Sequence, residues 1–269
     1  ADGPSGLRVI DIADNSNPVE INSLDTVGFA EAVKIQSKYA YLAAGDAGLQ
    51  IIKIPNPETP PTLEGSIDTP GYAQDLMFFS SVFVADQEGG LRIISRTDPT
   101  NPQEIGFYDT PGLASQLAWA EDIVLIADFS GLRIINALDQ SDPTALASFE
   151  SPVVPAGLSV AGDVVYIADQ WQGLRIVNAL YATSPAEISS VDTPGQALGI
   201  DVSGYYAYVA DGPGGLRIVK VKDPADPSEV GAYDTPCNAQ DVAIRDSLTY
   251  VDDGSDGLRL ISVANPSDP

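Results

Sequence analysis

The stretch Tyr206-Ala207-Tyr208-Val209-Ala210-Asp211-Gly212-Pro213-Gly214-Gly215-Leu216-Arg217-Ile218-Val219-Lys220 reads as a β-hairpin. Its alternating Tyr, Ala and Val residues suit an extended strand, and the Asp-Gly-Pro-Gly-Gly cluster reverses the chain tightly. The apolar run after Gly215 suits a strand buried on both faces. Working outward, Leu198 to Val202 reads as a preceding strand, the proline-broken Lys222 to Pro227 as a loop, and Glu229 to Tyr233 as a following strand. One unit thus holds four short strands and ends at the turn Asp234-Thr235-Pro236.

The unit repeats along the whole chain. Gly6-Leu7-Arg8, Gly48-Leu49-Gln50, Gly90-Leu91-Arg92, Gly131-Leu132-Arg133, Gly173-Leu174-Arg175, Gly215-Leu216-Arg217 and Gly257-Leu258-Arg259 follow one another at steps of 42, 42, 41, 42, 42 and 42 residues. That period belongs to propeller blades. No segment carries helical periodicity long enough for a crossover, so stacked antiparallel sheets are the economical solution, each blade burying its faces against its neighbours. The expectation is an all-β, single-domain β-propeller over 1–269, built of four-stranded antiparallel blades of about 42 residues. Five copies are complete, a sixth stops after its third strand, and the N-terminus adds a third strand (Leu7 to Ile12) and a fourth (Val19 to Asp25), twenty-five strands in all. Six blades are favoured, with the N-terminal fourth strand completing the last blade as a clasp. An incomplete seven-bladed ring is the alternative. The opening Ala1-Asp2-Gly3 falls inside a repeat, as a trimmed or processed end would, and carries no signal peptide.

The units closely resemble LVIVD repeats, through Leu7-Arg8-Val9-Ile10-Asp11, Leu174-Arg175-Ile176-Val177-Asn178, the strand Tyr208 to Asp211 and the turn Asp192 to Gly195. The resemblance covers essentially the whole chain. It implies a β-propeller of the kind found in bacterial and archaeal secreted or cell-surface proteins, and it implies no catalytic residues.

Composition narrows the function. Histidine is absent, which removes the commonest general base and metal ligand together. The 38 acidic and 13 basic residues give a net charge of −25, which repels nucleic acid and anionic membrane surfaces. No apolar run is long enough to span a membrane. The single cysteine, Cys237, rules out an intramolecular disulfide and reads as a buried thiol.

One covariation is internal to the repeats. Asp ends the second strand at Asp2, Asp86, Asp128, Asp169, Asp211 and Asp253, and each of those copies carries Arg in Gly-Leu-Arg; the remaining copy has Ala44 and Gln50 instead. The copy that loses the acid also loses the base, so the two are expected to pair across the hairpin. With six of eight arginines so committed, the outer surface is expected to be strongly negative.

Candidate sites are few. Asp252, Asp253 and Asp256, with Ser255 nearby, put several oxygens on one turn and are candidate ligands for a calcium ion, although the spacing is not that of an EF-hand. Asp14-Asn15-Ser16-Asn17 is a weaker turn of the same kind. Asp75, Asp201 and Asp241 lie on first strands, which line the channel of a propeller, but at unequal registers. Trp119 reads as core. Trp171 stands in a hairpin where other copies have Pro213 or Glu88, and reads as an exposed binding contact. The expected function is a non-catalytic extracellular or cell-surface scaffold that binds a protein or surface polymer, one that is basic or bridged by cations, and that is monomeric when isolated. The alternative is a calcium-dependent hydrolase or lactonase-like propeller using channel carboxylates.

Overall fold

The computed structural model describes residues 1–14, 16–120, 122–150, 154–179 and 184–269. It is all-β, with twenty-five strands among the described residues and a single 3-10 turn at Gly254–Asp256. The fold is a β-propeller of antiparallel blades. Blade 1 consists of Ala32–Gln36, Tyr39–Ala43, Leu49–Lys53 and Thr62–Ile67; blade 2 of Asp75–Phe78, Val82–Ala85, Leu91–Ser95 and Gln103–Tyr108; blade 3 of Ala114–Ala120, Ile123–Asp128, Gly131–Asn136 and Thr144–Glu150. Blade 4 follows with Pro155–Ala161, Val164–Asp169, Gly173–Asn178 and Ala186–Val191; blade 5 with Gly199–Ser203, Tyr206–Ala210, Leu216–Lys220 and Ser228–Tyr233; blade 6 with Asp241–Arg245, Leu248–Asp252 and Leu258–Ser262. In each the strands pair in chain order, so every connection is a hairpin.

The first five blades have four strands and blade 6 has three, while the N-terminal strands Leu7–Asp11 and Val19–Leu24 form a two-stranded sheet of their own. The strand expected to act as a clasp is therefore hydrogen-bonded to its own hairpin neighbour, Leu7 opposite Leu24 and Asp11 opposite Val19. A short loop closes that local pairing at small entropic cost.

The chain divides into two compact units, Ala1–Asp128 with Ile135–Ala145, and Phe129–Ile134 with Leu146–Pro269. In the first, Leu7 and Ala30 pack with Leu42 and Ile52 of blade 1. Leu49 and Ile51 of blade 1 meet Leu76, Val84 and Ile94 of blade 2, and Phe83, Leu91 and Ile93 of blade 2 meet Leu117, Val124 and Ile126 of blade 3. In the second, Leu174 and Ile176 of blade 4 meet Val209 and Val219 of blade 5. The other face of blade 5, with Leu216 and Ile218, meets Val242, Val251 and Ile261 of blade 6. Alternate residues of one strand thus serve opposite neighbours, which is why the third strand is apolar at its first, third and fourth residues.

The fourth strand of a blade is an edge, and its pairing carries the same irregularity wherever its register is described. The register skips one residue at Ile21, Glu64, Ile105, Ile188 and Val230, a β-bulge in five sheets. Bulges twist an edge away from strand addition.

The glycine of Gly-Leu-Arg answers to a positive φ in every described copy and, where a fourth strand lies beside it, to a close backbone approach as well. Gly215 has φ +73°, and a Cβ there would lie 2.3 Å from the Tyr233 carbonyl oxygen. Gly257 has the same φ but nothing within 4 Å of its would-be Cβ, since blade 6 has no fourth strand beside it. Gly215→Ala is expected to destabilise by more than about 2 kcal/mol and Gly257→Ala by only about 1 kcal/mol. Chemical denaturation of the two variants against the parent chain checks this ordering, and equal losses would show that backbone strain alone sets the cost.

Candidate binding cleft on blade 1

The charged residues of the repeat meet at the end of each blade that carries the second hairpin. Asp86, fully buried at the end of the second strand of blade 2, accepts hydrogen bonds from Thr69 Oγ1 (2.5 Å) and the Gly71 amide (2.8 Å) in the turn Asp68-Thr69-Pro70-Gly71. Asp211 takes the same two bonds from Thr193 Oγ1 (2.5 Å) and the Gly195 amide (2.8 Å). Burial pushes both carboxyls up from the usual aspartate range, and the hydroxyl, the amide and a facing arginine pull them back down.

That arginine comes from Gly-Leu-Arg. Arg92 holds its Nε 3.9 Å from Asp86, its Nη1 4.0 Å from Glu104 and its Nη2 3.2 Å from Asp109. Arg217 repeats the fan with Asp211 (3.9 Å), Glu229 (3.8 Å) and Asp234 (3.2 Å), and Arg8 with Asp2 (3.1 Å), Glu20 (3.7 Å) and Asp25 (3.4 Å). Arg175 pairs with Asp169 and Glu187, Arg133 with Glu150, and Arg259 with Asp253 and Asp256. The pairing read from the covariation is present at Arg8, Arg92, Arg175, Arg217 and Arg259, and Arg133 is held by Glu150. It also recruits acids that the covariation did not point to, from the fourth strand and from the turn that follows it.

Blade 1 departs from this arrangement at several positions at once. Ala44 replaces the buried Asp and Gln50 the Arg. Leu63 stands opposite Ile52 where Glu104 stands opposite Ile94 and Glu187 opposite Val177, while Ser66 opposite Gln50 keeps the small residue that Ser23 and Ser190 place opposite Arg8 and Arg175. Only the turn acid, Asp68, is retained. Glu64 occupies the bulge instead and pairs with Lys53 at 3.7 Å. Gln50 makes no ion pair and donates its Nε2 to the Val27 carbonyl oxygen (2.5 Å). With no carboxylate to accept it, the Thr26 hydroxyl is buried without a hydrogen-bond partner among the described residues. Where the fan would lie there is a cavity of about 390 Å³, lined by Val27, Gly28, Asp46, Ala47, Gln50, Leu63, Ser66 and Asp68. Val27 and Leu63 are exposed at 73% and 52%, unusual values for apolar side chains beside a cavity.

The residues singled out in sequence lie elsewhere. Asp252, Asp253 and Asp256 share one turn but do not converge. Asp252 accepts the Gly254 amide (3.0 Å), Asp253 is fully buried and accepts the Cys237 amide (3.2 Å), and both Asp253 and Asp256 face Arg259. Among the described residues no three acidic or cysteine side chains are gathered as for a metal ion. Asp14 accepts the Ser16 amide and hydroxyl, and Asn15 lies outside the described residues. The first-strand acids fasten one blade to the next: Asp75 accepts the Leu117 amide (2.9 Å), and Asp201 accepts that of Ile244 (3.0 Å). Burial raises the Asp75 carboxyl, with Lys34 and two backbone amides opposing.

Trp171 is 60% exposed at its hairpin, as its sequence context implies. Trp119 is partly buried against the core and stacks on Phe79 with ring centroids 4.2 Å apart. Cys237 is only half-buried, correcting the expectation of a buried thiol, and its Sγ lies 3.2 Å from Ser255 Oγ. It occupies the glycine position of the turn, where a Cβ on Gly71 or Gly195 would lie 2.0 Å from a backbone oxygen. Blade 6 accommodates the side chain with its 3-10 turn and with longer bonds to Asp253. The cleft itself was only partly visible in sequence: Gln50 marked the departing copy, but Leu63 and Ser66 gain their meaning from strand register.

The LVIVD repeat model matches residues 1–26, 27–69, 70–110, 156–193, 194–235 and 236–269. Among solved structures, the chain is similar to a protein from Lactobacillus plantarum, with TM-score 0.81 and 12% identity, covering 92% of this chain and 84% of that one. It is also similar to a functionally unknown protein from Desulfotomaculum acetoxidans, with TM-score 0.72 and 14% identity over 93% and 90% of the two chains. A third likeness is to BamB from Moraxella catarrhalis, with TM-score 0.66 and 12% identity over 97% and 89%. At such identities these likenesses carry the fold alone. No curated protein matches the chain.

Ala44→Asp with Gln50→Arg would give the Thr26 hydroxyl its acceptor and rebuild two members of the fan. The double variant is expected to be more stable than the sum of the single changes by about 1–2 kcal/mol, since Gln50→Arg alone lacks the buried acid and Ala44→Asp alone buries an unpaired one. Denaturation midpoints of the four proteins in the cycle measure this coupling, and additive single effects would show that the fan is not a cooperative unit.

Proposed function

We propose, from the premise that this chain belongs to the LVIVD repeat family, that it is a non-catalytic binding scaffold working outside the cell or at its surface. The observation that carries this reading is how the charged groups are used. The six motif arginines hold acids of the repeat, and the first-strand carboxylates Asp75 and Asp201 hold backbone amides of the next blade. A catalytic carboxylate needs a free lone pair aimed at substrate and a partner acid at a defined distance, and these groups are occupied by structural bonds. Blade 1 departs from the repeat in the way a binding site does, by opening a cleft.

The charge of −25 shapes the partner. Two copies approaching each other bring acidic surfaces together, so the isolated protein is monomeric, and its partners are basic or reach it through bridging cations. A calcium-dependent hydrolase is the rival reading. Purified protein assayed on ester, lactone and glycoside substrates, with calcium and with chelator, is expected to show no turnover above background. Calcium-dependent turnover that Asp75→Asn or Asp201→Asn abolishes would overturn the scaffold reading.

A further inference from the structure

From the cleft on blade 1, and building on the scaffold reading, we infer that the vacated place of the missing arginine receives an arginine from a partner polypeptide. The repeat itself shows what this position is shaped to hold. Asp25, Asp109 and Asp234 each take a guanidinium Nη2 at 3.4, 3.2 and 3.2 Å. Asp68 is their counterpart on blade 1, standing after the fourth strand at the same turn, and no cation of the described residues pairs with it. The arginine that would have filled it is Gln50, whose side chain is shorter and is tied back to the Val27 carbonyl oxygen.

The polar atoms of Gln50 point the same way. Gln50 is only 3% exposed and lines the cavity. Its Nε2 is held by Val27, which leaves Oε1 as an acceptor with no donor among the described residues. A guanidinium offers five N–H groups in a planar fork, enough to reach Asp68 and Gln50 Oε1 together. Asp46, on the hairpin at the other side of the cavity, supplies a second carboxylate. The walls suit the rest of an arginine residue, because Val27, Ala47 and Leu63 offer apolar surface to its methylene stem and to a flanking apolar side chain. At about 390 Å³ the cavity exceeds one side chain, so the ligand is a short segment rather than a free amino acid. Long-range attraction has the same sign, a basic segment being drawn to a chain of net charge −25.

The test titrates the intact protein, isotopically labelled, with acetyl-Leu-Arg-Ile-amide, and with the same tripeptide carrying lysine or citrulline in place of arginine, followed by amide and side-chain NMR. The arginine peptide is expected to shift the Gln50 side-chain amide together with Val27, Ala47 and Leu63, and to bind at least about tenfold tighter than the citrulline peptide, which keeps the shape and loses the charge. Gln50→Arg, which installs an internal guanidinium in the cleft, is expected to remove the shifts of Val27, Ala47 and Leu63 while leaving the fold intact by circular dichroism. Asp68→Asn is expected to weaken binding about tenfold. Equal binding of the arginine and citrulline peptides, or shifts confined to another surface, would overturn the arginine assignment while leaving the scaffold reading in place. Hydrolytic turnover at the first-strand acids would do the reverse.

Discussion

The structure depends on a buried aspartate at the end of the second strand of blades 2 to 6. A carboxylate removed from water is costly unless its lone pairs are met. Asp86 and Asp211 are met by a threonine hydroxyl and a backbone amide from the preceding turn, and an arginine from their own third strand faces each at 3.9 Å as an ion pair without a hydrogen bond. One residue therefore joins the end of one blade, the entry to the next and the hairpin between its own strands. Removing one partner from such a pair leaves a buried charge uncompensated, at roughly 3–5 kcal/mol. This explains why acid and base are both kept or both lost within a copy.

The same constraint accounts for the small residues around the aspartate. A Cβ on Gly71 or Gly195 would lie 2.0 Å from the backbone oxygen of Asp86 or Asp211, and one on Gly89 or Gly214 would reach the carboxylate itself at 2.0 or 2.2 Å. The turn and the hairpin are pressed together, so glycine is the residue that fits, and the turn keeps this approach at Gly28, whose Cβ would lie 2.1 Å from the Ala44 carbonyl oxygen without any carboxylate. Blade 6 shows the consequence of relaxing this. With Cys237 at the turn, the bonds to the carboxylate lengthen to 3.2 and 3.3 Å, the hairpin becomes a 3-10 turn, and Arg259 is 38% exposed where Arg92 is 10% exposed.

Blade 1 relaxes it differently, by discarding the buried charge. Replacing both members of a buried ion pair with smaller, neutral groups avoids an uncompensated charge, but it does not refill the volume. The missing fan, together with Leu63 in place of a glutamate, leaves a cavity rather than a repacked core. Regular repeats stabilise one another through neighbouring interfaces, so one departing copy can be carried by the rest. That is where a repeat protein has freedom to place a binding site.

The architecture was legible in the chain because a period of 42 residues and a four-strand pattern leave one economical packing. The expected strands of blade 5 lie within one residue of those observed, and the coupling of Asp to Arg was readable because both change together at Ala44 and Gln50. Tertiary structure decided what periodicity does not encode. Asp252, Asp253 and Asp256 are neighbours in sequence, yet one is buried and two share an arginine, because strand direction turns successive side chains to different faces. The N-terminal strand Val19–Leu24 stays with its hairpin neighbour because pairing depends on which edge lies near in space. The cleft is likewise a property of register. Leu63 and Ser66 come to flank Gln50 only through a bulge that moves Glu64 out of line, and a bulge leaves no mark on the count of residues between repeats.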